Sequence, residues 1–217
     1  MKTYLIPFLL LSILAPGCKK EKPNEIIYLD NNMKAAFNFR EGSYWVYRDS
    51  LTGMEDSFVV TEYRSVFTPY ANTALTNELL NVFVSQRYKG MKQADSARWE
   101  YRLKDRNRLN CSLQFEAAIS NTLGIIPYLS YPFQPGSANN DADDSGSVAA
   151  TSIAYSLNGI AYTNVTKITH IKRSSPLTTS TYYINDSVGL IKISAHFNNG
   201  TTEFRKVWEL KRWHLLK

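Results

Sequence analysis

Cysteine and histidine are scarce in this sequence, and their scarcity excludes several kinds of site. The chain has 217 residues, of which two are cysteines and three are histidines. Two cysteines cannot supply the disulfide framework of a small secreted scaffold. None of the histidines, His170, His196 and His214, has a metal-ligating residue two or four positions away. We therefore expect no metal centre built on histidine and no cofactor.

The motifs that mark common enzyme classes are also missing. The sequence has no Gly-x-Ser-x-Gly elbow, no His-Glu-x-x-His pair, no phosphate-binding loop and no dinucleotide-binding glycine set. A catalytic triad assembled from distant strands would leave no such spacing, so that alternative stays open. We predict a chain without catalytic residues.

Apolar runs are short, and none has the about 20 residues that a membrane-spanning helix needs. The apolar stretch at residues 4–14 follows Lys2 and precedes the small residues Ala15 and Gly17. A positive start, a short apolar stretch and small residues after it are typical of a secretory signal peptide. We assign residues 1–17 to such a signal.

A cysteine, Cys18, follows this segment directly. Together with the residues before it, Cys18 resembles the lipobox of bacterial lipoproteins, in which the cysteine becomes the first residue and its thiol takes a diacylglycerol. The resemblance implies a lipid anchor at Cys18, with fatty acyl chains such as palmitate. The alternative is an ordinary signal peptide that is cleaved elsewhere. If Cys18 carries lipid, Cys111 has no partner within the chain.

The residues after Cys18 predict a tether between a membrane and a folded domain. Residues 19–25 are polar or charged apart from one proline, so they cannot bury themselves. We assign residues 18–36 to the lipidated cysteine and the tether, and residues 37–217 to a β-rich domain. Lys19 stands where many lipoproteins of the inner membrane have aspartate. The resemblance therefore implies the outer membrane, on either its periplasmic or its outer face.

The positive charge of the chain is modest, with a formal net charge of +6. Its basic residues are spread along the sequence rather than gathered in one segment. Such an excess favours solubility more than the binding of nucleic acid, which needs a basic patch. The expected partner is the membrane, reached through the lipid, and not nucleic acid.

Composition and alternation predict strands. The 14 tyrosines, with many threonines, valines and isoleucines, favour pleated and half-buried surfaces. Asn158-Gly159 separates two alternating stretches and is a strong hairpin signal. We predict a mostly β fold, a single antiparallel meander of roughly ten strands that forms a curved sheet or half-open barrel. At most one short helix is expected, over residues 73–81, and residues 118–147 form the one long irregular stretch.

Several short motifs resemble a set found in uncharacterised lipoproteins of Bacteroidota. They are a Gly-x-x-Trp-x-Tyr strand in residues 40–47, a Gly-x-x-Tyr-x-x-Val hairpin in residues 158–165, a Val-Gly-Leu-Ile-Lys strand in residues 182–192, and Trp208-x-Leu210 near the end. The set covers most of the chain after Phe37. The resemblance implies a curved antiparallel sheet or half-open barrel, with no activity to carry over.

Aromatic residues on predicted strands are the candidate ligand-binding residues. Their rings supply large contact areas at low entropy cost, which suits a concave surface for a glycan, an acyl chain or a protein partner. The alternative for each of them is a place in the core. The six candidates are Trp45, Tyr47, Trp99, Tyr101, Tyr183 and Trp208.

One fragment is a weak calcium candidate. Asp141, Asp143 and Ser145 place oxygens at positions 1, 3 and 5 of a calcium loop, and Gly146 follows at position 6. Position 12, which requires a bidentate glutamate, holds Ser152. A solvated loop without metal is the favoured reading.

These observations favour an outer-membrane lipoprotein with a non-enzymatic binding or structural role. One alternative is a periplasmic carrier of lipid or lipoprotein with a half-barrel fold, which would need a deep apolar cavity. The other is a secreted hydrolase with a scattered site, which would need histidine, aspartate and glutamate clustered in a polar cleft.

Overall fold

The computed structural model describes the chain from Glu25 onward, with gaps. The predicted signal peptide, Cys18, and the calcium candidates Asp141 and Asp143 lie outside the described residues. The described ranges are 25–69, 75–87, 97–104, 108–115, 122–130, 132–140, 144–172, 177–198, 200–201 and 203–217.

The described residues form thirteen strands and one helix, which confirms the mostly β prediction. In chain order they are β1 (Glu25–Ile27), α1 (Asn31–Phe37), β2 (Tyr44–Asp49), β3 (Glu55–Pro69), β4 (Leu75–Arg87), β5 (Ala97–Lys104), β6 (Arg108–Phe115), β7 (Thr122–Ser130), β8 (Ala138–Asn140), β9 (Asp144–Leu157), β10 (Ile160–Lys172), β11 (Leu177–Asn185), β12 (Gly189–Asn198) and β13 (Glu203–His214). None of the described residues belongs to a helix long and apolar enough to cross a membrane.

All thirteen strands belong to one sheet, in which two meanders meet at the pairing of β2 with β13. One meander runs from β2 to β7, and the other from β8 to β13. β7 and β8 are the two ends of the path, so the sheet is open. β7 nevertheless lies close to β9, β10 and β11, which means that the sheet curves back toward itself.

The hairpin predicted at Asn158-Gly159 is confirmed, since these two residues form the turn between β9 and β10. Asn158 has φ 51° and Gly159 has φ 79°. Positive φ at both central residues is the geometry that Asn-Gly tolerates better than other pairs, and it matches the twist of the flanking strands. The side-chain amide of Asn158 also donates to the carbonyl oxygen of Leu210, at 2.9 Å.

The helix predicted over residues 73–81 is wrong, because Leu75 onward is strand β4. The spacing of Leu75, Leu79 and Leu80 fits a helix, whereas the alternation of a strand runs through Leu80, Val82 and Val84. Pairing with β3 decides the matter, since it places Leu80, Val82 and Val84 on one buried face. Leu79 points to the opposite face, as the alternation of a strand requires.

The single described helix, α1, lies upstream of the predicted domain boundary. The Asp30 carboxylate caps its first turn by accepting from the backbone N–H groups of Asn32 and Met33. Leu29, Met33 and Phe37 are buried in the core. The packed domain therefore includes residues 25–36, which the sequence had assigned to the tether.

In the stretch predicted to be irregular, residues 118–147, the described residues form two strands and the start of a third. Strands β7 and β8 lie within it, and β9 begins at Asp144. Proline and glycine interrupt the alternation of this segment, so the strands left little trace in the sequence.

One hydrophobic core holds the helix and both meanders together. The curved sheet wraps its concave face around this core, and α1 adds apolar side chains to it. The largest buried side chains are Trp45, Tyr47, Tyr182, Phe37, Phe39, Phe58, Met33 and Leu80.

Candidate functional site

Three of the six aromatic binding candidates are core residues. The exposed fraction of Trp45 is 0%, that of Tyr47 is 1% and that of Trp208 is 3%. Side chains this deeply covered present no surface to a ligand. For these three positions, the structure corrects the predicted binding role to a packing role.

The polar atoms of the buried aromatics are used inside the protein. The indole N–H of Trp45 donates to the carbonyl oxygen of Val188, at 2.7 Å. The Tyr47 hydroxyl donates to the carbonyl oxygen of Leu190. The ring of Trp208 packs edge-on against Phe58, with centroids 5.2 Å apart. These contacts explain why aromatic residues, rather than aliphatic ones, occupy the positions.

The other candidates differ from these three. Tyr183 is half-buried on β11 and stacks on Tyr155, with ring centroids 4.7 Å apart. The ammonium group of Lys167 lies 5.9 Å from the centre of the Tyr183 ring. Trp99 and Tyr101 fall on β5, where their side chains are not among the described atoms. Tyr183 is thus the candidate that the structure places at a partly open aromatic surface.

The calcium candidate Ser145 lies within β9 rather than in a loop. It pairs with Ile171 of β10 on one side and with Asn140 of β8 on the other. Within the described part of the chain, no group of three or more histidine, cysteine, aspartate or glutamate residues could hold a metal ion.

An open cleft, here called the Asn185 cleft, lies beside the helix, has a volume of about 330 Å³, and is lined by polar and apolar surface in about equal parts. Three segments build it, namely α1, an irregular part of β10 and the turn between β11 and β12, and Lys217 completes the wall. The cleft is lined by Asn32, Ala35, Ala36, Thr163, Asn164, Asn185, Asp186, Ser187 and Lys217.

The β10 wall of the cleft is a β-bulge. Between Tyr162 and Val165 the pairing with β9 shifts, so Thr163 and Asn164 interrupt the ladder. Asn164 has φ 55°, a left-handed conformation in which asparagine is enriched. Bulges re-aim side chains and are over-represented next to functional sites. Here the bulge brings two polar residues to the cleft.

Asn185 holds the turn of the cleft in place. Its amide nitrogen donates to the carbonyl oxygen of Thr163, at 2.6 Å. Its side-chain oxygen accepts from the backbone N–H groups of Ser187 and Val188, both at 3.1 Å, and from the Ser187 hydroxyl, at 2.7 Å. An asparagine that bonds the backbone two and three residues later stabilises a tight turn. Three of these bonds close the turn and the fourth connects it to the bulge, so the wall of the cleft is preformed.

Lys217 joins the cleft to the end of the helix. Its ammonium group donates to the carbonyl oxygens of Ala35, at 3.0 Å, and Ala36, at 2.9 Å. It also lies 4.1 Å from the centre of the Phe39 ring. A cation is favourable at the carbonyl end of a helix. Partial burial nevertheless lowers the pKa of Lys217 to about 8.

Asp186 is the carboxylate of the cleft, and burial raises its pKa above the usual aspartate value. Desolvation disfavours the charged form of a carboxyl group, which explains the direction. A ligand that donates a hydrogen bond here would replace part of the lost hydration.

This site was not predicted from the sequence, although one signal for it was present. Asn185-Asp186-Ser187 interrupts two alternating stretches and has the composition of an asparagine-stabilised turn. The contact of that turn with Thr163 could not be predicted from the sequence, because it depends on the register of β10 against β11. Lys217 and Asn32 lie far from the turn in the chain, and only the fold brings them together.

Comparisons with known proteins found no relative of this chain. No family model matches the chain, and neither the curated proteins nor the solved structures include a significant match. The site must therefore be interpreted from its own geometry.

Proposed function

We propose that this protein is a lipid-anchored protein of the outer membrane whose domain binds a small polar ligand in the Asn185 cleft without catalysing a reaction. The observation that carries the binding role is the preformed cleft of about 330 Å³ with amide, hydroxyl and carboxyl groups in its wall. That volume is in the range of small-molecule sites, about 300–1,000 Å³.

The lining favours a hydroxyl-rich ligand over an acyl chain. Of the lining residues, only Ala35 and Ala36 are apolar, and both belong to the helix. Amide groups such as Asn32 and Asn164 offer both donors and acceptors, which match the hydroxyls of a glycan. An acyl chain would leave these polar groups without partners, at a cost in free energy. The lining therefore supports the carrier alternative less well.

A hydrolase is also less well supported by the groups in the cleft. Ser187 carries the one serine hydroxyl in the lining, and that hydroxyl donates to the amide oxygen of Asn185, at 2.7 Å. A serine nucleophile requires a base to accept its proton, and an amide oxygen is not a base. No histidine or glutamate is among the lining residues.

The anchoring part of the proposal rests on the sequence. Cys18 follows a secretory signal pattern, and β1 begins only seven positions later, at Glu25. Such a short connection would hold the domain close to the membrane in which the lipid is embedded. Ligands that diffuse near that membrane would then meet the cleft.

Saturation-transfer NMR with soluble oligosaccharides tests the binding role. Maltohexaose and N,N′-diacetylchitobiose are suitable probes, with a fluorescent fatty acid as the probe for a carrier. We expect an oligosaccharide to bind and Asp186→Asn or Asn164→Gly to weaken it about tenfold, since a lost hydrogen bond to a ligand costs about 1.5 kcal/mol. Glycine at position 164 keeps the positive φ accessible.

Tyr183→Ala is the matched control, because it removes the partly open aromatic surface and leaves the cleft intact. Retained binding in this variant supports the cleft. If Tyr183→Ala is the only variant that loses binding, the binding site is the aromatic surface and not the cleft. Binding of the fatty acid alone, or of no probe at all, would contradict the proposal.

A further inference from the structure

The tip of the β3–β4 hairpin carries exposed apolar side chains beside the start of β1. Ile26 is 44% exposed, Tyr28 59% and Phe67 52%. Large apolar side chains exposed together mark an interaction surface more often than single ones do. We call these three residues the apolar lip.

The members of the lip share one face of the sheet. The rings of Tyr28 and Phe67 meet edge-on, with centroids 6.0 Å apart. Ile26 is in register with Thr76, which is in register with Pro69, two residues from Phe67. Because registered residues and residues two apart point to the same side, Ile26 lies on the face of Phe67.

The β3–β4 hairpin side of the lip is poor in charge, whereas β1 places the exposed Glu25 next to Ile26. The sequence has no aspartate, glutamate, lysine or arginine between Arg64 and Glu78. Glu78 itself is buried, and its carboxylate is paired with the Lys34 ammonium at 3.0 Å. No unpaired charge of the described hairpin tip therefore opposes contact with an apolar phase.

The predicted lipid lies close to this lip. Cys18 precedes Glu25, the first residue of β1, by seven positions. A chain of that length spans at most about 25 Å, whatever its conformation. Ile26 is the next residue of β1, so the predicted anchor keeps the lip within reach of the membrane.

We infer that the apolar lip rests in the interfacial region of the bilayer that holds the lipid on Cys18, an inference that depends on the anchor in the proposed function. Tyrosine suits this place, because its ring is apolar and its hydroxyl reaches the polar headgroups. A lipid alone leaves a domain free to rotate. A second, apolar contact fixes its orientation, with the β3–β4 hairpin pointing to the membrane.

Fluorescence quenching by brominated lipids tests the inference on the mature, lipidated protein. Phe67→Trp places a reporter in the lip, and the protein is reconstituted into phosphatidylcholine and phosphatidylglycerol vesicles with brominated acyl chains. We expect the variant to lose about twofold more fluorescence than the wild-type protein loses. Tyr28→Ser in the same background should reduce this quenching, since it removes the neighbouring ring.

Leu51→Trp is the matched control. Leu51 is 58% exposed, much like Phe67, but it precedes β3 while Phe67 lies near the end of that strand. Glu55 and Phe67 are twelve positions apart along β3, which corresponds to at most about 40 Å. If the apolar lip rests in the bilayer, we expect added quenching for Phe67→Trp and none for Leu51→Trp.

Flotation of the same vesicles separates the two proposals. Protein that floats with the vesicles but shows equal quenching at both positions, or none at position 67, would overturn the lip and leave the anchor standing. Protein that does not float with the vesicles would contradict both the lipid anchor and the membrane contact of the lip.

Discussion

The indole N–H of Trp45 on β2 donates to the carbonyl oxygen of Val188, just before β12, at 2.7 Å. Two residues further along each segment, the Tyr47 hydroxyl donates to the carbonyl oxygen of Leu190. In the sheet, β13 separates β2 from β12, so both bonds cross the core. The Gly-x-x-Trp-x-Tyr and Val-Gly-Leu-Ile-Lys motifs of the sequence therefore contact each other.

Removal of the Tyr47 hydroxyl should test this contact. Tyr47→Phe keeps the ring and removes one buried hydrogen bond to the carbonyl oxygen of Leu190, which costs about 1 kcal/mol of the free energy of unfolding. Urea denaturation measures this. Tyr44→Phe is the control, because Tyr44 is exposed on the other face of β2, and it should change stability by less than about 0.5 kcal/mol. Equal effects of the two variants would contradict a structural role for the Tyr47 bond.

Glu78→Gln should loosen the attachment of α1. The Glu78 carboxylate accepts from the Lys34 ammonium and from the backbone N–H of Leu29, each at 3.0 Å. Glutamine keeps an acceptor but loses the ion pair, so we expect a loss of about 1–2 kcal/mol, less than for a fully buried pair. Chemical denaturation checks this. Glu62→Gln, in an exposed pair with Arg64, should have almost no effect. A neutral Glu78→Gln would show that the helix does not depend on this carboxylate.

Asp56 should make stability depend on pH. Burial raises its pKa to about 6, from 3.8 in the unfolded chain. The folded state therefore binds more protons than the unfolded state between these values, and the contribution of Asp56 to stability falls as the pH rises through 6. Asp56→Asn should stabilise the protein by about 1 kcal/mol at pH 7 and should lose that advantage below about pH 4. Thermal unfolding at both pH values measures the difference. A gain of equal size at both would exclude the titration of Asp56 as its cause.

Asn185→Ala should destabilise the turn that shapes the cleft. Asn185 is buried and makes four hydrogen bonds through its side chain. Its loss should cost about 2–3 kcal/mol in urea denaturation. Asn198→Ala is the control, since the exposed Asn198 has a similar bond to the backbone N–H of Gly200, at 2.8 Å. That variant should lose only a few tenths of a kcal/mol. Similar losses in both would mean that the turn is no more than a surface loop.

Local sequence signals predicted the mostly β fold and the Asn158-Gly159 hairpin, but they missed β7, β8 and the start of β4. Asn158-Gly159 specifies its turn because both residues accept positive φ, whatever the rest of the fold does. The helix over residues 73–81 failed for the opposite reason. The spacing of Leu75, Leu79 and Leu80 fits the helical period, but pairing with β3 makes the segment a strand, in which Leu80 lies on the face opposite the other two.

Alternation could not tell the core from a binding surface. It shows that Trp45 and Tyr47 share a face, but not that the sheet curves over that face and covers it. The Asn185 cleft could not be predicted from the sequence for a related reason. It joins Asn185, Thr163 and Lys217, which come together only through strand register and the path of the chain end past α1.

We propose that the protein is anchored through Cys18, and the intact mass of the membrane-bound protein tests this claim most directly. One acyl chain gives an association constant of only about 10⁴ M⁻¹, so two or three chains are needed for firm binding. We expect a mature chain that begins at Cys18 and carries the added mass of a diacylglycerol. Cys18→Ser should be soluble and unprocessed at this site, while Cys111→Ser behaves like the wild-type protein. A membrane-bound protein with an unmodified Cys18, or unchanged fractionation of Cys18→Ser, would contradict the claim.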